Sequence, residues 1–157
     1  MALQFSGPTQ QRLAETLKLY PDKRAALLPA LYLAQKEFGY LSQEAMQYVA
    51  GLLELTPAYV YGVSTFYTMY NKEPVGKYLV QVCTNLPCAL MGAEHVVDYL
   101  SQKLGVKAGE TTPDKKFTLL RVECLGACGA APMMQINDAY YENLTREKID
   151  QILRELK

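Results

Sequence analysis

Apolar residues in the first seventy positions recur every three or four residues, the spacing that gathers them on one side of a helix. Residues 9 to 70 therefore read as helices. Thr9 is expected to cap a first segment running to Tyr20, where Pro21 stops it. Leu27, Leu28, Leu31 and Phe38 form the stripe of a second, with Pro29 near its start, where proline does least harm, and Gly39 at its end. Ser42 caps a third, whose Met46, Val49 and Leu53 keep helical spacing. Thr56-Pro57, a capping residue followed by proline at the first helical position, opens a fourth with Val60, Val63 and Tyr67 on one side. The pattern predicts a small bundle of four short amphipathic helices.

The pattern changes after Asn71 to Gly76, a turn-like stretch that contains Pro74. Tyr78 to Val82 is short, apolar and partly β-branched, a strand that runs straight into Cys83. Beyond Pro87 helical spacing returns, with Ala93, Val96, Val97, Leu100 and Leu104 in a stripe that Gly105 terminates. A polar connection, Ala108 to Lys116, leads to a second strand, Phe117 to Val122, which also ends near a cysteine, Cys124. Met133 to Ile136 and Ala139 to Tyr141 flank Asn137-Asp138 as a hairpin, and Thr145 caps a last helix with Ile149, Ile152, Leu153 and Leu156 on one face. This order, with two strand ends converging on loops, predicts a thioredoxin-like mixed sheet. The expected class is α+β: a helical N-terminal domain over residues 1–75, then the thioredoxin-like domain over residues 76–157.

Composition narrows the functional classes. Half of the 157 residues are apolar, enough for a sizeable core, and 20% are charged. Sixteen Lys plus Arg balance sixteen Asp plus Glu, and the balance is local: six of each sign fall in residues 1–76 and ten of each in residues 77–157. No basic face is advertised, so nucleic acid is not the expected partner. The longest uncharged run, Leu55 to Asn71, has 17 residues but includes Pro57, Gly62 and four tyrosines. It is too short and too polar for a transmembrane helix, and no membrane insertion is expected. The opening residues show neither a signal-peptide nor a transit-peptide pattern, so a cytoplasmic location is expected.

Four cysteines in such a chain do not form a disulfide framework. Cys83 and Cys88 have four residues between them, Cys124 and Cys128 three, and each pair follows a strand. Neighbouring strands would bring the pairs together. Four thiolates suit soft metals, either zinc or an iron–sulfur cluster. Structural zinc favours tight knuckles with two intervening residues, whereas a two-iron cluster can take one wider pair at each iron. Buried thiols and a redox dithiol remain alternatives, the latter without a Cys-x-x-Cys motif. A Rieske centre needs two histidine ligands, and His95 is the chain's single histidine, placed in a helix as a solvated or packed side chain. In Cys124-Leu125-Gly126-Ala127-Cys128-Gly129-Ala130-Ala131-Pro132, small side chains would let backbone N–H groups face sulfur. Pro87 is expected to start a helix whose N-terminus lies at Cys88, and Arg121 reads as an exposed strand charge.

Cys83-Thr84-Asn85-Leu86-Pro87-Cys88 and Glu123-Cys124-Leu125-Gly126-Ala127-Cys128 with Ala131-Pro132 resemble a known family. So do Val60-Tyr61-Gly62-Val63-Ser64-Thr65-Phe66-Tyr67 and Gln135-Ile136-Asn137-Asp138. They are similar to the small flavoprotein-fragment (E-type) family of subunits in bacterial respiratory NADH-quinone oxidoreductase (complex I), over nearly the whole chain. The resemblance implies a helical N-terminal part, a thioredoxin-like domain, and one 2Fe-2S cluster on Cys83, Cys88, Cys124 and Cys128. It also implies a partner flavoprotein subunit that binds FMN and NADH and trades electrons with the cluster. That pair would sit in a larger complex with further iron–sulfur subunits, on the peripheral arm of a membrane-bound assembly. Related small diaphorase subunits occur in NAD-linked hydrogenases and formate dehydrogenases, and a zinc-stabilised assembly module is the rival of another class.

The chain has no G-x-G-x-x-G after a strand and no phosphate-binding glycine loop, so hydride chemistry is expected on another chain. Tyr59, Tyr61, Phe66, Tyr67, Met69 and Tyr70 form an aromatic-rich stretch. It reads either as a docking surface for the partner or as the packing face of the helical bundle.

Overall fold

The computed structural model of the chain describes residues 3–156. It divides into two compact units, one ending at Pro74 and the other beginning at Val75.

The first unit holds α1 (Gly7–Leu17), α2 (Leu27–Phe38), α3 (Gln43–Leu53) and α4 (Pro57–Phe66). Local chemistry sets three of their ends. The Ser42 hydroxyl accepts from Ala45 N–H at 3.1 Å and the Thr56 hydroxyl from Tyr59 N–H at 3.3 Å, each satisfying a donor that the first helical turn leaves free. Gly39, at φ 84°, closes α2 by donating to the Gln35 carbonyl. Leu27, Leu31, Met46, Val49, Leu53 and Val60 meet in one core, with Phe5 in contact with Phe38 and Tyr48 at its edge. Three expectations need correcting. The first helix begins at Gly7, with Pro8 in its first turn, and stops at Leu17 rather than Tyr20. Thr9 is not its cap: the Thr9 hydroxyl donates to Glu37 on α2 at 2.5 Å, a tertiary partner. Tyr67 lies just past the end of α4 instead of on its inner face.

The second unit is built on β1 (Tyr78–Cys83), β2 (Phe117–Val122), β3 (Met134–Ile136) and β4 (Ala139–Tyr141), in the spatial order β2-β1-β3-β4. β1 and β2 are parallel, while β3 is antiparallel to both β1 and β4, so the sheet is mixed. The connection from β1 to β2 carries α5 (Leu86–Leu90) and α6 (Ala93–Leu104), and α7 (Arg146–Glu155) is the last helix. The Thr145 hydroxyl accepts from Lys148 N–H to start α7, and Asn137, at φ 53°, makes the β3–β4 turn. Val80, Val82, Leu119, Met134 and Ile136 of the sheet pack with Val96, Val97 and Leu100 of α6 and Ile149 and Ile152 of α7. Asp150 of α7 accepts from Tyr99 and pairs with Lys103, both on α6. Leu156, expected in the last stripe, falls beyond the helix end. No helix among the described residues is long and apolar enough to cross a membrane.

Candidate metal centre

Parallel pairing places both strand ends at one edge of the sheet. Cys83, the last residue of β1, stands opposite Val122, the last of β2. Thr84 N–H extends the ladder to the Val122 carbonyl at 2.9 Å, so the two cysteine-bearing loops leave side by side. Cys83 N–H donates to the Met133 carbonyl on the other flank at 3.2 Å. Cys83 and Cys88 are buried with Met133 and Ala93, and Leu125, Ala127 and Ala131 pack against this small cluster. Cys124 and Cys128 are exposed, and all four thiols are free.

As expected, the first loop opens a helix with Pro87 and Cys88 in its first turn, but that helix is short. Asn85 accepts from Leu86 N–H at 2.7 Å and Pro87 occupies the first turn, giving the five-residue α5 with Cys88 in its middle. Gly92, at φ 90°, then separates α5 from α6, because only glycine takes that left-handed turn without cost. Cys88 thus sits at the N-terminal turn of a short helix separate from α6, and the dipole near it is that of a single turn. Gly92, standing immediately before the apolar stripe that begins at Ala93, is the available signal for the break. Leu86, Leu90 and Met91 leave exposed apolar side chains around this loop.

The second loop is organised by its backbone. Gly126, at φ 75°, aims its N–H at Cys124 Sγ, 3.4 Å away. The Cys83 thiol donates to the Glu123 carbonyl at 3.6 Å. Cys128 starts a single 3-10 turn, Cys128–Ala130, before the cis Ala131–Pro132 bond. From β4, the Tyr140 hydroxyl donates to the Leu125 carbonyl at 2.7 Å and braces the loop tip.

The electrostatics of the thiols follow from burial and proximity. Burial pushes the Cys88 thiol up to about 11; the Cys83 thiol and the charge of Cys128 add to the rise, while the Met133 backbone opposes it. Cys83, Cys88 and Cys128 thus lie close enough to act on one another. They are not drawn into a closed cage: among the described residues no three or more His, Cys, Asp or Glu side chains are arranged to hold a metal ion. The donor set nevertheless suits a soft metal cluster, with four free thiols in two adjacent loops, Gly126 and Ala127 between the second pair and a backbone N–H already on sulfur. A bound cation would supply the charge that makes buried thiols ionise.

Residues 13–157 match the model of the thioredoxin-like [2Fe-2S] ferredoxin family. The chain belongs to that family. It is 50% identical over 146 residues to the E subunit of NADH-quinone oxidoreductase from Rickettsia conorii, covering 91% of this chain and 87% of that one. It is 45% identical over 138 residues to the second E-type subunit of NADH-quinone oxidoreductase from Rhizobium meliloti, covering 88% and 82%. The fold is shared with a chain in the crystal structure of an air-oxidised NAD+-reducing [NiFe]-hydrogenase, at a TM-score of 0.73 and 21% identity. That match takes in 83% of this chain but only 22% of the hydrogenase chain. The α+β class, the thioredoxin-like sheet and the family expected from the cysteine loops all hold.

Three other sequence readings are resolved by placement. His95 is exposed on α6, as expected of a solvated side chain. Of the aromatic stretch only Tyr70 packs inside the bundle, 1% exposed, with its hydroxyl on the Leu28 carbonyl at 2.8 Å. Tyr59, Tyr61, Phe66, Tyr67 and Met69 are exposed, so bundle packing does not account for them. Arg121 is exposed as expected but not solitary. Its guanidinium forks onto the Glu94 carboxylate, Nη1 donating at 2.8 Å and Nη2 donating to the other oxygen. Separated by 27 positions, that pair was invisible to local pattern.

Proposed function

We propose that the chain is an electron-transfer subunit of NADH-quinone oxidoreductase that holds one 2Fe-2S cluster through Cys83, Cys88, Cys124 and Cys128. The observation that carries the reading is the release of one cysteine pair from each of two adjacent parallel strands, at the same sheet edge. The likeness to the E subunits of that oxidoreductase supplies the host.

When bound, the cluster supplies a one-electron carrier that cycles between oxidised and reduced iron. The chain's own residues decide how readily. Burial of Cys83 and Cys88 keeps one side of the site dry, and exposure of Cys124 and Cys128 leaves the other open to a redox partner. By formal charge counting the oxidised site carries about −2 and the reduced site about −3, so N–H donors such as that of Gly126 favour reduction. Tyr140 holds the loop that presents this donor.

The electrons come from an FMN- and NADH-binding flavoprotein subunit, since this chain carries no dinucleotide fingerprint. The pair works with further iron–sulfur subunits in the peripheral arm of a membrane-bound complex on its cytoplasmic side. Protein purified without air should contain about two iron and two acid-labile sulfide per chain, and should show a reduced-state EPR signal. Co-expression with the flavoprotein should let NADH generate that signal. One zinc per chain without sulfide would sink the reading and favour a structural assembly module.

A further inference from the structure

The Arg121–Glu94 pair connects the two segments that carry the cysteines. Arg121 lies on β2, opposite Val82, one residue before Cys83 and three before Cys124. Glu94 is in the first turn of α6, just after the Gly92 break that follows the Cys88 helix. Adjacent strands are about 4.8 Å apart, so the guanidinium is rooted close to the sheet edge from which both loops leave. Both side chains are about half exposed, 46% and 53%. An exposed ion pair contributes little to stability. A bidentate fork, however, fixes two opposite charges in one geometry beside whatever the loops hold.

Resting on the proposed cluster, the geometry points to Arg121 and Glu94 as a mutually neutralising charge pair, in which each partner keeps the other's charge from shifting the reduction potential of the site. Each charge cancels the other's field at the cluster. Removing one exposes the other to a centre that becomes one unit more negative on reduction. Losing Arg121 leaves the Glu94 carboxylate to oppose reduction, and losing Glu94 leaves the guanidinium to favour it.

Midpoint potentials of the full chain, purified without air, test this by EPR-monitored redox titration at low ionic strength. Arg121→Gln should shift the potential down, Glu94→Gln should shift it up, and the double variant should return close to the unaltered protein. Arg121→Lys, which keeps the charge, should shift it less than Arg121→Gln. Raising the salt should shrink both single shifts, because the pair is solvent-facing. If the pair only fastens α6 to the sheet, both single variants move in the same direction and the double variant does not recover; that result, or no shift in either, overturns the assignment. Glu94→Gln decides the sign even if Arg121→Gln loads poorly. An unaltered protein without iron and sulfide would instead defeat the cluster reading before any variant is compared.

Discussion

Cys83 stands opposite Val122 at the last rung of the parallel β1–β2 ladder. The pairing has a direct chemical consequence: Cys124, two residues beyond Val122, and Cys88, five beyond Cys83, belong to loops that start from neighbouring points. Antiparallel pairing would have sent them to opposite ends of the sheet.

All four cysteines are therefore expected to be ligands, and each single change to serine should lose or strongly destabilise the cluster. Cys83→Ser and Cys88→Ser are the most demanding cases, because the replaced thiols are buried. Iron and sulfide content together with the reduced EPR spectrum provide the check. A serine variant that keeps full iron and an unchanged spectrum removes that cysteine from the ligand set.

How much of this was legible in the sequence depended on range. Ser42, Thr56 and Thr145 were readable as caps because each accepts from a backbone N–H only three residues on. Asn137-Asp138 was readable as a turn because Asn tolerates the left-handed conformation the hairpin needs. Thr9 misled because its hydroxyl finds Glu37, 28 positions away, in place of its own helix. The cysteine pairs were visible by spacing after strands, yet the donor on Cys124, the brace from Tyr140 and the Arg121–Glu94 fork depend on three-dimensional placement. The α5–α6 break is marked in the sequence only by Gly92, which stands immediately before the apolar stripe of α6.

Gly126 should tune the potential more than its neighbour Gly129. Valine at position 126 must adopt φ near 75°, which β-branched residues avoid, so the N–H on Cys124 Sγ moves away. Loss of one such hydrogen bond is worth about 1 kcal/mol, or on the order of 40 mV for one electron, and the potential should fall because the more negative state loses a donor. Gly129→Ala is the control: nothing lies within 4 Å of an added Cβ. Redox titration of both variants decides the matter, and a rise in Gly126→Val with an intact cluster would show that this donor does not stabilise the reduced form.

Tyr70 and Phe66, four positions apart, should behave oppositely. Phe66 is 77% exposed and its change to alanine should cost no more than about 0.5 kcal/mol, whereas Tyr70→Ala empties a core site and should cost about 3–5 kcal/mol. The buried Tyr70 phenol also makes the bundle sensitive to alkali. Burial, with Tyr67 beside it, pushes its pKa up to about 12 from an ordinary 10.0. The unfolded chain thus releases this proton before the folded one does. The stability it contributes is complete below pH 10 and is lost as pH rises towards 12. Urea unfolding of Tyr70→Phe across that window should give a flatter profile than the unaltered protein; parallel profiles would rule the phenol out.

The isolated chain should have no NADH dehydrogenase activity. A dinucleotide site needs a βαβ unit whose glycine-rich turn opens a helix towards the pyrophosphate. The parallel β1–β2 crossover is already occupied by chemistry of another kind: its first turn is Thr84-Asn85-Leu86-Pro87-Cys88, with a proline and a cysteine where glycines would have to stand. Among the described residues before Pro74 there are helices and no strand from which such a unit could start. NADH added without air to flavin-free protein should therefore leave the cluster oxidised, while dithionite reduces it if its potential allows. Adding the flavoprotein should connect NADH to the cluster, with the EPR signal growing in proportion to the flavin supplied. Prompt reduction by NADH alone would mean that a nucleotide can bind against this chain and pass electrons without a flavin, by a site built on something other than a glycine-rich turn.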